Sequence, residues 1–283
     1  MAKKDEGSRV RDALRVGAEL PDPGSTPVGP GKKAKALAKF EGAGELLSGL
    51  QEALYAEGVG GGRRSVLLVL QGMDTSGKGG TVSHVLGLVN PMGVHYAAFK
   101  KPTAAERRHH YLWRIRKQLP TPGQIGVFDR SHYEDILVPR VTGLLTAAER
   151  RRRYGEINAF EQELTDTGTT VVKVFLHISP EEQLRRLKAR LETPEKRWKY
   201  NPGDLEARSH WPAYQEAYAD IFKKTSTAHA PWYVVPADHK WYRNWAVAEL
   251  LSETLTELKP EFPEPDYDVA EELAKLKGVG VPS

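Results

Sequence analysis

The chain has 283 residues, 40% of them hydrophobic, enough for one large α/β domain with a sizeable core and terminal extensions. It contains no cysteine, which excludes disulfides, thiolate metal sites and cysteine nucleophiles, and no apolar run approaches the ~20 residues of a membrane span. The start, MAKKDEGSRVRD, lacks the apolar segment of a secretory signal, so a cytoplasmic protein with no membrane partner is expected. The net charge of +4 is modest but uneven: residues 100–117 hold seven Lys/Arg against one Glu, and residues 185–199 hold seven against two. Such local excess suits a polyanionic partner.

Residues 1–35 are basic and rich in Gly and Pro (PDPGSTPVGPGKK), a poor candidate for a packed element and expected to be a mobile arm. Residues 36–57 space Leu37, Phe40, Leu46, Leu47, Leu50 and Leu54 at helical intervals, predicting a helix or two over a sheet. Val66, Leu67, Leu68, Val69 and Leu70 then form an unbroken apolar run, as in a strand buried on both faces of a parallel sheet. The chain turns there into GMDTSGKGGT, residues 72–81. Gly72 to Lys78 fits the first seven positions of the phosphate-loop pattern GxxxxGK[ST], with Gly77, Gly79 and Gly80 letting backbone wrap an anion and Lys78 reaching it. Gly79 stands where Ser or Thr would hold magnesium; the nearest hydroxyl is Thr81, and Asp74 is an added loop carboxylate. A glycine-rich turn with Lys78 in solvent is the alternative.

A second strand is predicted from His95 to Phe99, then FKKPT, then a helix over about 104–119 that carries Arg107, Arg108, Arg114, Arg116 and Lys117 and stops at Pro120 and Pro122. Ile125 to Phe128 reads as a strand ending in Asp129, the Walker B arrangement in which a carboxylate holds magnesium; such an Asp can instead cap a helix, a task Ser131 is also placed to do. A long helix over 145–166 opens with an arginine run best read as a solvated face. The strand VVKVFLHI follows, then SPEEQLRRLKAR, with Ser179 as N-cap, Pro180 at N1 and Glu182 at N3, which sets Arg186 and Arg190 on one helix face. A basic break at TPEKRWKYNPGDLE, an aromatic helix, a strand at 232–235 and a closing helix at 241–258 complete the pattern. Strands alternating with helices imply an α/β three-layer fold with a parallel sheet, a P-loop kinase core over 36–258, a lid over about 180–210 and a Pro-rich acidic tail over 259–283.

GMDTSGKGGT, FDRSHYEDILVPRV, SPEEQLRRLKARLETPEKRWKYNPGDLEAR and TSTAHAPWYVVPADHKWYRNWAV together resemble the polyphosphate kinase 2 family over roughly residues 35–260. The resemblance implies a P-loop kinase fold with a helical lid, and magnesium-dependent transfer between inorganic polyphosphate and nucleotides, AMP or GMP and ADP or GDP as acceptors, in either direction. It assigns Asp74 and Lys78 to Walker A, Asp129 and Arg130 to Walker B, and Arg186 and Arg190 to the lid. Candidate nucleotide contacts are Lys100, Thr103, Arg114 and Glu134; candidate metal ligands are Asp74, Asp129 and Glu134, with Mg2+ expected and Mn2+ a substitute. In diphosphate-restricted members the segment tends to read SWYN. Glu134 in SHYED, able to hold a second magnesium, therefore points to the subgroup that accepts both mono- and diphosphates; a carboxylate that merely favours the helix dipole is the alternative. A homo-oligomer, dimer or tetramer, is the expected assembly, with no nucleic acid partner.

Two other classes stay open. An ATP-dependent nucleotide or small-molecule kinase shares loop and lid but needs no basic track long enough for a polymer. A nucleic-acid-binding module would use the basic stretches and interleaved Trp and Tyr as stacking platforms, leaving Lys78 and Asp129 without roles.

Overall fold

The computed structural model describes residues 9–277 and residue 279. Five strands, β1 (Ser65–Gln71), β2 (Val94–Ala98), β3 (Ile125–Asp129), β4 (Thr169–His177) and β5 (Trp232–Pro236), form one parallel sheet in the order β2-β3-β1-β4-β5. Strand side chains alternate between faces, so the continuous apolar run of β1 serves two cores. Val66, Leu68 and Leu70 enter one; Leu67 and Val69 enter the other.

On the first face lie α1 (Val10–Leu14), α2 (Lys33–Val59), α3 (Lys78–Val85) and α10, the closing helix (Lys240–Leu258), contributing Leu14, Leu47, Leu54, Val85, Trp245 and Leu251. The second face carries α4 (Leu112–Arg116), α5 (Glu134–Val141), α6 (Ala147–Asp166) and α9 (Trp211–Thr225), through Ile115, Ile136, Ile157, Phe160 and Phe222. Between β4 and α9 run α7 (Pro180–Glu192), a 3-10 segment (Pro194–Lys199) and α8 (Gly203–Ser209), the expected lid. A last helix, α11 (Val269–Lys277), buries no residue. The expected three-layer architecture is therefore present, with β1 between β3 and β4 at the centre.

Two expectations change. Residues 9–32, expected as part of a mobile arm, pack: Val10, Leu14 and Val28 are buried, the Glu253 carboxylate accepts from the Val10 and Arg11 amides at 2.7 and 2.9 Å, and Arg15 bridges Tyr233 on the edge strand β5. Composition missed this because the segment's apolar residues are few but placed to reach both cores: Val10, Leu14 and Val28 join the first, and Val16 and Leu20 pack against the second. The helix expected over about 104–119 is broken into a 3-10 turn at Glu106–Arg108 and the short α4. Thr103 and Glu106 cap each other reciprocally, His109 turns extended, and its ring stacks on Trp113 at 4.0 Å, so side-chain contacts replace the helical ladder.

One buried charge group ties the second core to β3. Lys173 in β4 donates to Glu161 at 2.5 Å, to the Tyr133 hydroxyl at 3.0 Å and to the Thr225 carbonyl at 2.7 Å, and Tyr133 and His132 also bond Glu161. All four ionisable groups are fully buried. His132 and Tyr133 directly follow the Asp129–Arg130–Ser131 turn, so this network anchors the segment that leaves β3.

Candidate active site

The loop after β1 is shaped by its backbone. Gly77 has φ +108, and a Cβ there would also lie 1.7 Å from the Arg243 guanidinium, so glycine is required twice over. Thr75 and, at the end of β3, Arg130 are non-glycine residues at φ +65. Such conformations cost roughly 1–3 kcal/mol and persist where surrounding contacts force them. Lys78 opens α3 and folds back over the loop, its Nζ donating to the Gly72 carbonyl at 2.8 Å. It is 8% exposed, and burial, then the Arg130 charge, lowers its pKa, opposed by Asp74, Asp129 and Glu134.

Register Leu70↔Asp129 sets the β3 terminus beside the root of the loop. Arg130 reaches across to Asp74 at 2.8 Å. Burial alone would lower its pKa, but the carboxylates of Glu134, Asp74 and Asp129 outweigh that and hold it raised. Asp129 does not cap a helix; the Ser131 hydroxyl accepts from the Tyr133 amide instead. A cavity of about 930 Å³ opens here at the carboxyl ends of the strands, where ligands bind in parallel α/β sheets. Asp74, Gly77, Lys78, Gly79, Gly80, Asp129 and Arg130 form its floor, Lys100 one rim, and Arg190 the lid side.

The remaining expected residues stand elsewhere. Thr81 is fully buried in α3 and does not line the cavity. Thr103 is committed to capping Glu106. Arg114 is 6% exposed, fixed to the Lys100 carbonyl and Asp135, and lines two smaller clefts beyond the Lys100 rim. Glu134 faces a separate cavity of about 100 Å³ with Arg130, Tyr214 and Tyr218; burial raises its pKa, and Arg130 and Lys78 oppose the rise. Arg186 departs most from expectation. Its guanidinium donates to the carbonyls of Thr75, Ser76, Ala237 and Asp238 while Nε bonds Glu182, so it does not share the cavity side with Arg190. The cause is its place on the inward face of α7, over carbonyls that the loop and the end of β5 leave unpaired.

Whether a divalent cation fits follows from the donors. Among the described residues no three carboxylate or imidazole groups are close enough to hold a metal by themselves. Magnesium needs less, since it is usually held by one or two carboxylates plus water and substrate phosphates. Asp74, Thr75 and Asp129 line the same cavity as Lys78, and the Thr75 hydroxyl is buried with no partner among the described residues. An unpartnered hydroxyl in a loop of this kind suits a ligand with oxygen and charge to offer.

Several site residues escaped sequence reasoning. Gln71, with its amide nitrogen turned to the carboxylate, donates to Glu134 at 3.0 Å and accepts from the Ser131 amide at 3.2 Å. Gln183, 1% exposed, donates from the lid to the Asp74 carbonyl at 3.1 Å. Lys101, Trp198 and Lys199 complete the rim and lid lining, and Trp198 is 78% exposed. Arg243 lies under Gly77; its signal was a charge on the otherwise apolar stripe Arg243, Val247, Leu250, Leu251 of α10.

A nucleotide-type phosphate loop, a strand-end Asp beside it and a basic helical lid over one cavity define a P-loop kinase fold. The family model for polyphosphate kinase 2 (PPK2) matches residues 32–263, and the chain belongs to that family. It is 49% identical to an AMP/ADP-polyphosphate phosphotransferase of Meiothermus ruber over 91% of this chain and 95% of that one, and 40% identical to an ADP-polyphosphate phosphotransferase of Rhodopseudomonas palustris over 82% and 83%. The crystal structure of polyphosphate kinase 2 from Arthrobacter aurescens TC1 superposes with a TM-score of 0.94 at 49% identity, covering 99% of this chain and 100% of that chain.

Proposed function

We propose that the protein transfers phosphoryl groups between inorganic polyphosphate and nucleoside mono- and diphosphates, AMP and ADP first among them. The observation that carries this reading is the single cavity in which Lys78, Asp74, Asp129 and Arg130 meet, with basic side chains continuing onto its rim at Lys100 and Lys101 and onto the lid at Arg190 and Lys199. A kinase that takes a compact donor needs the floor alone; a chain of phosphates rewards basic groups on several sides. Lys78 and Arg130 neutralise charge on the transferred group, Arg190 adds charge from the lid, and the loop amides orient the phosphate oxygens. Asp129 and Asp74 are the carboxylates that would hold a divalent cation, Mg2+ or Mn2+, whose chemistry is to neutralise and orient phosphate oxygens. Glu134, held by Gln71, extends the carboxylate set toward a monophosphate acceptor.

No helix of the described residues is long and apolar enough to cross a membrane; with a cysteine-free sequence, the cytoplasm is the proposed compartment. The test is production of ATP from ADP, and of ADP from AMP, with polyphosphate and magnesium and no other phosphoryl donor, read by product chromatography. Turnover only when ATP or GTP is supplied as donor would overturn the reading.

A further inference from the structure

The Ser76–Gly77 peptide is held from behind by two guanidinium groups. Arg186 Nη1 donates to the Ser76 carbonyl at 3.0 Å and Arg243 Nη1 approaches the same oxygen at 3.4 Å. Arg243 is 3% exposed and has no carboxylate within ion-pair distance among the described residues; its other donors, Nε and Nη2, meet the Asn244 side-chain oxygen at 3.1 and 2.8 Å. A buried cation without a counter-charge is costly, so one retained under a phosphate loop calls for a role.

Peptide planarity supplies that role. In a trans peptide the C=O and the following N–H point in opposite directions, so fixing one fixes the other. Arg243 and Arg186 draw the Ser76 carbonyl toward α10 and α7. The Gly77 N–H is thereby turned the opposite way, and it has no acceptor among the described residues. The Ser76 N–H, one peptide earlier, is spent on the Met73 carbonyl at 3.0 Å. Gly77 itself lines the cavity, and its missing Cβ is what admits the guanidinium. We infer that Arg243, oriented by Asn244, is a positioning residue that aims the Gly77 amide at a phosphate oxygen while its charge, a few ångströms behind the loop, favours the bound anion. It touches no substrate.

This inference rests on the loop being the phosphate site of the proposed reaction, and one experiment separates the two. The sequence contains two Ser–Gly pairs, Ser48–Gly49 and Ser76–Gly77. Labelling serine with carbonyl 13C and glycine with 15N therefore leaves two amide signals in a carbonyl-filtered spectrum, with Gly49, in the middle of α2, as an internal control. On titration with tripolyphosphate the wild-type Gly77 amide should move downfield and Gly49 should not. In Arg243→Met the Gly77 signal should lose most of that shift, and the KM for polyphosphate should rise at least tenfold with the KM for ADP within about twofold. Arg243→Lys, which keeps charge but cannot hold both Asn244 and Ser76, should recover part of the KM and little of the shift. A wild-type Gly77 that ignores tripolyphosphate would defeat the phosphate-site reading itself. A normal wild-type response that persists undiminished in Arg243→Met, or in Arg243→Lys should the Met variant not fold, would overturn the inference alone.

Discussion

At the scale of single residues, two substitutions separate chemistry from packing. In the proposed reaction Lys78→Ala and Asp129→Asn each delete a charge facing the transferred phosphoryl group, and each should lower turnover by ~10²-fold or more, with circular dichroism and unfolding midpoint little changed. Near-normal turnover in either would remove the site assignment. Glu134 makes a finer distinction. Its carboxylate is held by Gln71 and paired electrostatically with Arg130 rather than exposed at a helix end. Glu134→Asn should therefore depress AMP phosphorylation well beyond ADP phosphorylation, and Gln71→Leu, which frees the carboxylate, should do the same more mildly. Equal losses with the two acceptors would return Glu134 to a plain helix-terminus role. Lys78, Asp129, Arg130 and the loop glycines were legible in the sequence because a motif dictates both identity and spacing. Gln71, Gln183 and Arg243 were not, because each acts through backbone or side-chain oxygens that only tertiary packing brings near.

At the scale of elements, the strands were legible because each is a short apolar run, and α7 because Ser179, Pro180 and Glu182 mark its start, where the Ser179 side chain accepts from the Glu182 amide. The segment over 104–119 was not: its charges and apolar residues fit a helix, but the Thr103–Glu106 box and the His109–Trp113 stack stop the ladder midway. Another element-scale feature is the Lys173–Glu161 pair, which anchors the Asp129–Glu134 segment to α6. Burial pushes the Lys173 pKa down against the opposing Glu161 charge, and burial pushes Glu161 up while Lys173 and His132 more than offset it. Lys173→Met strands a buried carboxylate and should cost roughly 3–5 kcal/mol in urea unfolding, whereas the double variant Lys173→Met with Glu161→Leu should recover much of that loss. A double variant no more stable than Lys173→Met would show that the polar network itself, not the unpaired charge, sets the stability.

For the whole molecule, the two ends behave differently. Val10, Leu14 and Val28 are each 4% exposed or less, and full burial of such side chains contributes roughly 1.5–3 kcal/mol apiece. Deleting residues 1–32 should lower the unfolding midpoint sharply and expose the β5 edge, promoting aggregation. Deleting residues 264–283 removes a helix with no buried side chain and should leave the midpoint unchanged. Equal tolerance of both deletions would contradict the packed placement of the N-terminal segment. Divalent-cation dependence also belongs to this scale, since the described residues supply no closed cage: excess EDTA should stop turnover without shifting the midpoint, and full turnover in EDTA would contradict the carboxylate assignment.

Trp198 has an optical consequence. Of the chain's six tryptophans it alone is exposed, whereas Trp232 and Trp245 are sealed in the cores and the others are half-buried. Its indole stands over the cavity on the lid, near Lys199. A water-soluble quencher such as acrylamide should therefore collide mainly with this one ring. If polyphosphate draws the lid down, the quenching constant should drop and the emission should move to the blue in proportion to occupancy, giving a label-free titration of the donor. The same titration in Trp198→Phe should be silent.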